Sequence, residues 1–250
     1  MEKKSTLASK PRTARIRPEL TRLPELSWRR RFFRKAVAWL LGGIVKLTTR
    51  LSIQGIENVP EQGPVLVVSN HLGDADGVIG IAISPRPVEM VAKVELYSLP
   101  ILGWLMDAYG VIWVHRGQPD RRALRAALAG LQTGRAIGIA PEGRESLTAS
   151  LEEGTGGAAY LALKSGAPIL PVTFTGTQNQ IVYNNLKRFR RTAVTVTIGK
   201  PFILEKTNHR KESIHQATDI IMQTLACQLP VEYQGVFAQE LEVKNGNQEH

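Results

Sequence analysis

Residues 64–77, PVLVVSNHLGDADG, hold the strand and the loop from which the rest of the chain can be read. Pro64–Ser69 is a continuous apolar, β-branched run entered from Gly63, the pattern of a strand covered on both faces. It passes directly into polar, turn-forming residues, so His71 falls where a buried strand meets a sheet edge. Asp76 follows five residues later, and Gly73 permits a tight turn that brings its carboxylate back toward the ring. A carboxylate on one imidazole nitrogen fixes the tautomer and leaves the other nitrogen to accept a proton near neutral pH. Such a pair can deprotonate an attacking alcohol, a step worth about 10²–10⁴ in rate. Two other readings stay open on spacing alone. His71 is a satisfied capping or core residue in one, and His71, Asp74 and Asp76 ligate a metal in the other. The second lacks a nearby second histidine and the fuller oxygen set that carboxylate sites gather.

Outward from this strand, apolar runs alternate with helical segments. Val88–Val94, Tyr109–His115, Arg135–Ala140, Pro168–Phe174 and Val194–Ile198 read as further strands. Pro119–Leu131 reads as a helix with a Leu124, Leu128, Leu131 stripe and Gly134 as its stop, and Gly156–Lys164 and Lys211–Leu229 as two more. This alternation predicts an α/β fold: a mixed, mostly parallel sheet covered by helices, with chemistry in the loops at strand ends. The 250-residue length suits one such domain, over residues 51–230, followed by a C-terminal tail at 231–250. A single cysteine, Cys227, excludes an internal disulfide framework and a multi-cysteine zinc site.

The net charge of +10 is concentrated at one end. Residues 1–50 carry 14 Lys and Arg against three acidic residues, which leaves the remainder near neutral. A cationic arm on a neutral body points to a polyanionic surface, lipid or nucleic acid. Residues 1–27 are basic and aperiodic and are expected to be a disordered arm. An organelle leader is a lesser reading of this arm, and no secretory signal pattern is present. Residues 28–50 then read as a helix, with Arg29, Arg30, Arg31, Arg34 and Lys35 before an apolar stretch from Ala36 to Val45. About ten apolar residues cannot span a bilayer, which takes roughly twenty. Trp28, Phe32, Ala36, Leu40 and Ile44 recur at a spacing of four, with Phe33, Val37 and Leu41 beside them. The expectation is an amphipathic helix lying in a membrane interface, against the plainer alternative of a helix packed on its own domain. A nucleic-acid partner is not expected: the arm lacks interleaved aromatics before Trp28, and the body is not basic.

Cationic and turn residues at other strand ends are candidates for binding an anionic group. They are Lys93, His115-Arg116-Gly117, and Ala140-Pro141-Glu142-Gly143-Arg144-Glu145-Ser146, where Gly143 lets backbone approach a ligand and Arg144 offers a planar fork. Together these blocks resemble the phospholipid and glycerol acyltransferase family, which includes the lysophosphatidic acid acyltransferases. The first family motif is matched by NHLGDAD, from Asn70 to Asp76. The second is matched by GVIWVHRG with Arg116, the third by APEGRES, and the fourth by ILPVTF around Pro171. A string of Lys93, Glu95-Leu96, Pro100 and Gly103-Trp104 matches as well, and the blocks follow the family's order over roughly residues 50–205.

The resemblance implies an O-acyltransferase with His71 as general base and Asp76 orienting it. Arg116, Glu142 and Gly143 would contact acceptor phosphate and glycerol, with Asn70, Lys93 and Arg144 as further substrate-binding candidates. The donor would be acyl-CoA or an acyl carrier protein, the acceptor a lysophospholipid, with no cofactor and no metal. The expected location is peripheral, on an anionic membrane at its cytoplasmic face. The alternative is a non-catalytic lipid- or membrane-binding protein of the same fold. The sequence departs from the family pattern at two positions. Gly73 stands where serine is common, and Glu145 stands where the third motif has arginine, which points toward an unusual lysolipid acceptor.

Overall fold

The computed structural model describes residues 18–115, 120–205 and 210–238. Seven strands form one sheet: β1 (Thr49–Gln54), β2 (Val65–Ser69), β3 (Val88–Lys93), β4 (Ile112–Val114), β5 (Ala136–Ile139), β6 (Ile169–Thr175) and β7 (Thr192–Ile198). Their spatial order is β1-β7-β6-β2-β5-β3-β4. Every neighbouring pair is parallel except β6 and β7, which pair antiparallel. The expected mixed, mostly parallel sheet is therefore what forms. Its central strand alternates strictly, with Leu66 and Val68 entering one core and Val65 and Val67 the other. Cover on both faces is why β2 reads as an unbroken apolar run.

Among the described residues seven α-helices accompany the sheet: α1 (Trp28–Thr48), α2 (Ala75–Ile83), α3 (Pro100–Tyr109), α4 (Arg121–Gln132), α5 (Gly156–Ser165), α6 (Asn179–Lys187) and α7 (Arg210–Gln228). Helices α4, α5 and α7 pack over one face, around Leu131, Leu161 and Leu225. Helices α1, α2 and α3 cover the other, around Val45, Ile79 and Tyr109. Tyr109 was expected to open a strand, but it ends α3. Gly110 at φ +94° caps that helix in a left-handed conformation, so the strand shortens to Ile112–Val114. Pro119, the expected helix start, lies outside the described residues, and Asp120 instead caps α4 through the Arg122 and Ala123 amides.

Helix α1 sorts the two stripes seen in the sequence. Phe33 and Val37 pack beside α3, while Trp28, Phe32, Leu40 and Ile44 remain exposed. The helix is fastened to the domain by Arg34, which was expected on its basic surface but is buried. Its guanidinium donates to Glu89 at 3.2 Å and to the Tyr109 carbonyl at 2.6 Å, and Arg135 donates to the same Glu89 at 3.2 Å. The chain turns from α1 straight into β1, so the helix ends at Thr48 and residues 49–50 belong to the sheet. Residues 18–27 fall within the expected disordered arm yet lie on the domain, with Pro24 buried and its carbonyl accepting from Arg135 at 2.7 Å. In the expected tail, Tyr233 and Phe237 return to the core below α7.

Candidate active site

The carboxyl ends of β2, β5 and β6 stand side by side, and in a parallel sheet that edge gathers the loops that hold ligands. The loop after β2 presents His71, whose Nδ1 lies 2.9 Å from Asp76 Oδ2. The same oxygen accepts from the Leu72 amide at 2.7 Å and the Gly73 amide at 3.0 Å. Asp76 lies in the first turn of α2, where helix polarity favours a negative charge. The carboxylate is 5% exposed and the imidazole 27%, so a buried anion orients a ring that is open on one side.

The backbone of His71 is held by the loop after β5. Its amide donates to Glu142 Oε1 at 3.0 Å, and its carbonyl accepts from the Ser146 amide at 2.8 Å. The second Glu142 oxygen accepts from the Glu152 amide at 3.0 Å. Glu142 is therefore buried with both oxygens engaged, and it braces His71 instead of facing a substrate as expected. Burial pushes its carboxyl up to about 7, against the opposing pull of the Glu152 and His71 amides. Asn70 has a similar part. It is 1% exposed, and its side-chain amide makes a two-way pair with the Phe174 backbone at 2.8 and 2.9 Å, tying β2 to β6.

The remaining candidates are dispersed along the edge. Lys93 ends β3, two strands from β2. Gly143 adopts φ +72°, the left-handed turn that glycine suits, and is exposed. Arg144 is exposed and paired with Glu152 at 2.6 Å. Arg116 lies outside the described residues. His115, just before it, packs on Asp120 at 3.0 Å. Burial works to raise the Asp120 pKa, but the hydrogen bonds from His115 and the α4 amides outweigh it and hold the carboxyl low.

The loop from β6 into α6 completes the site, and nothing in the sequence marked it. Asn179 donates to Glu145 at 2.7 Å and accepts from the Asp74 amide at 2.9 Å, while Tyr183 donates to Asp74 at 2.7 Å. The Glu145 carboxylate is thus hydrogen-bonded by an amide. Asp74 turns toward α6. Among the described residues no three His, Cys, Asp or Glu side chains come together as a metal-ligand group. Gly73 is required by this packing: a methyl group there would meet the Thr177 carbonyl oxygen at 2.5 Å.

A seven-stranded mixed sheet with a carboxylate-oriented histidine at its carboxyl edge defines a class of α/β proteins, and comparison with known proteins places this chain within it. The family model described as Acyltransferase matches residues 50–175, and the chain belongs to that family. Among similar proteins, a 1-acyl-sn-glycerol-3-phosphate acyltransferase of Borreliella burgdorferi is 31% identical over 157 residues, 60% of this chain and 58% of the relative. A lyso-ornithine lipid O-acyltransferase of Pseudomonas aeruginosa is 30% identical over 55% of this chain and 52% of its own length. The chain thus spans about half the length of such relatives. The crystal structure of the 1-acyl-sn-glycerophosphate acyltransferase PlsC of Thermotoga maritima shares the fold. It has a TM-score of 0.57 and 23% identity, covering 80% of this chain and 83% of that one.

Proposed function

We propose that the protein is an O-acyltransferase that moves an acyl group from a thioester, acyl-CoA or an acyl carrier protein, to the free hydroxyl of a lysophospholipid such as lysophosphatidate. The observation that carries this reading is the His71–Asp76 pair, braced through both backbone groups of His71 at the carboxyl edge of the sheet. With Nδ1 facing Asp76, Nε2 takes the proton as the acceptor oxygen attacks the thioester carbonyl. The tetrahedral adduct collapses, the C–S bond breaks, and the imidazolium returns the proton to the departing thiolate. Asp76 stabilises the imidazolium during the exchange. Lys93 and Arg144 are the described cations at this edge for the acceptor phosphate, with Arg144 first released from Glu152, and the family motif offers Arg116 as a third.

The acceptor and product are lipids, so the site works at a membrane. Trp28, Phe32, Trp39 and Leu40 on α1, with Ile101 and Trp104 on α3, form an exposed apolar surface, and Arg29, Arg31 and Lys35 flank it. No helix among the described residues is long and apolar enough to cross a bilayer, which fits peripheral attachment. Soluble thioester donors put it on the cytoplasmic face.

The test is thiol release from acyl-CoA by purified protein, with lysophosphatidate and lyso-ornithine lipid as parallel acceptors. His71→Ala is expected to lower turnover by about 10²-fold or more. Turnover that survives the substitution would remove the mechanism. A preference for lyso-ornithine lipid would replace the lysophospholipid acceptor in this reading.

A further inference from the structure

Helix α6 ends in a feature that the site does not use. The Phe189 amide donates to the Leu186 carbonyl at 3.1 Å, and the Arg190 amide to the Asn185 carbonyl at 2.8 Å. This is the Schellman closure, whose left-handed position is normally taken by glycine. Here Phe189 occupies it at φ +53° and is 100% exposed. A bulky aromatic in that conformation is strained, and its side chain gains nothing from the domain in return. Around it lie Lys187, Arg188, Arg190 and Arg191, and no acidic residue occurs between Glu153 and Glu205. An exposed aromatic tip ringed by cations is complementary to an anionic lipid surface, where the ring enters the interface and the cations meet phosphates.

Topology sets the direction in which this tip points. Strand β7 runs against β6, with Thr195 opposite Thr175, the last residue of β6. Residues 192–194 therefore lie beyond the carboxyl end of β6, and the turn before them projects past the same edge that holds His71. Strand β1 runs parallel to β7 with Thr49 beside Thr192, so the end of α1 arrives there too. Arg191 joins the two by donating to the Thr49 and Lys46 carbonyls at 2.8 and 2.9 Å. Leu47 in the last turn of α1 and Ile101 in the first turn of α3 are each 76% exposed along this edge.

We propose that the Lys187–Arg191 turn is a second membrane-docking element, in which Phe189 inserts into an anionic bilayer and turns the His71 edge toward the lipid. This rests on the reading that the acceptor is drawn from a bilayer. The decisive variant is Phe189→Gly, which removes the ring and supplies the residue that the turn geometry favours, so the fold is not put at risk. Sedimentation with phosphatidylcholine vesicles, with and without phosphatidylglycerol, measures partitioning. Phe189→Gly is expected to weaken binding to the anionic vesicles on the order of tenfold, whereas Phe189→Trp retains it. The double variant Arg188→Gln/Arg190→Gln weakens binding by a similar or larger factor, from about fivefold per charge. Turnover of vesicle-borne lysolipid falls with binding, while turnover of a short-chain, water-soluble lysolipid is unchanged. Wild-type binding by Phe189→Gly overturns the docking role and leaves the acyltransferase reading intact. A wild-type protein that ignores anionic vesicles overturns both this role and the membrane reading.

Discussion

Asp76 gathers three hydrogen bonds on one oxygen, from His71, Leu72 and Gly73, so it shapes the loop as well as the ring. Asp76→Asn retains the volume and lacks the charge that stabilises an imidazolium. Turnover is expected to fall by about 10²–10⁴-fold, with circular dichroism unchanged. Glu142 has a second, separable signature. Burial lifts it from 4.5 to about 7, so across that window the native state holds a proton that the unfolded chain has released. Stability therefore falls as pH rises through the window, by at most about 3 kcal/mol. Glu142→Gln has no such slope, but it leaves one of two amides without an acceptor at a cost of about 1–3 kcal/mol. Urea titrations at about pH 5 and about pH 7.5 should show the gap between wild type and variant narrowing at the higher pH. A gap that widens would contradict a raised Glu142. Residue types and order marked His71, Asp76 and Glu142 in the sequence. They could not show that Glu142 and Asn70 face inward, because that depends on β5 and β6 lying beside β2.

Two elements are joined to the domain by interactions that spacing alone conceals. Helix α1 is held by the buried Arg34–Glu89–Arg135 cluster. Arg34→Leu should cost on the order of 2–4 kcal/mol and open the α1 region to protease, since Glu89 retains Arg135. Glu89→Leu should cost more, because it leaves two cations facing each other in a dry site. The β2–α2 loop is fitted against the β6–α6 loop through Gly73. Gly73→Ser restores the residue common in the family, yet it is expected to destabilise this protein and lower turnover, because its Cβ meets the Thr177 backbone. Thermal melts and the thiol assay would check both. An unchanged melting temperature in Gly73→Ser would mean that the α6 loop yields freely. Strand β1 and helices α2, α3 and α6 were not legible in the sequence. They are short and either mainly apolar or mainly polar, without the clean periodicity that separates helix from strand.

At the scale of the whole molecule, one antiparallel pairing orients everything else. Because β7 reverses against β6, the starts of β7 and β1 reach the edge where the parallel strands end. The catalytic loop, the end of α1 and the basic turn after α6 therefore share one side of the protein. Binding to anionic vesicles is expected to be strong at about 0.1 M salt and weak at about 1 M, as the Debye length falls from about 10 Å to about 3 Å. Vesicle sedimentation across that range is the check, and salt-independent binding would assign attachment to the apolar surface of α1 and α3 alone.

By itself the sequence determined the fold class, the His71–Asp76 pair and the presence of a cationic, aromatic N-terminal helix. Each depends on the order and spacing of neighbouring residues, which a linear chain displays directly. The tertiary structure alone decided which α1 stripe is buried, why Gly73 admits no side chain, which amide meets Glu145 and where Phe189 points. Those outcomes depend on contacts between residues far apart in the chain, from 34 positions for Glu145 with Asn179 to 145 for Arg191 with Lys46. Only the register of packed strands brings such residues within hydrogen-bonding range.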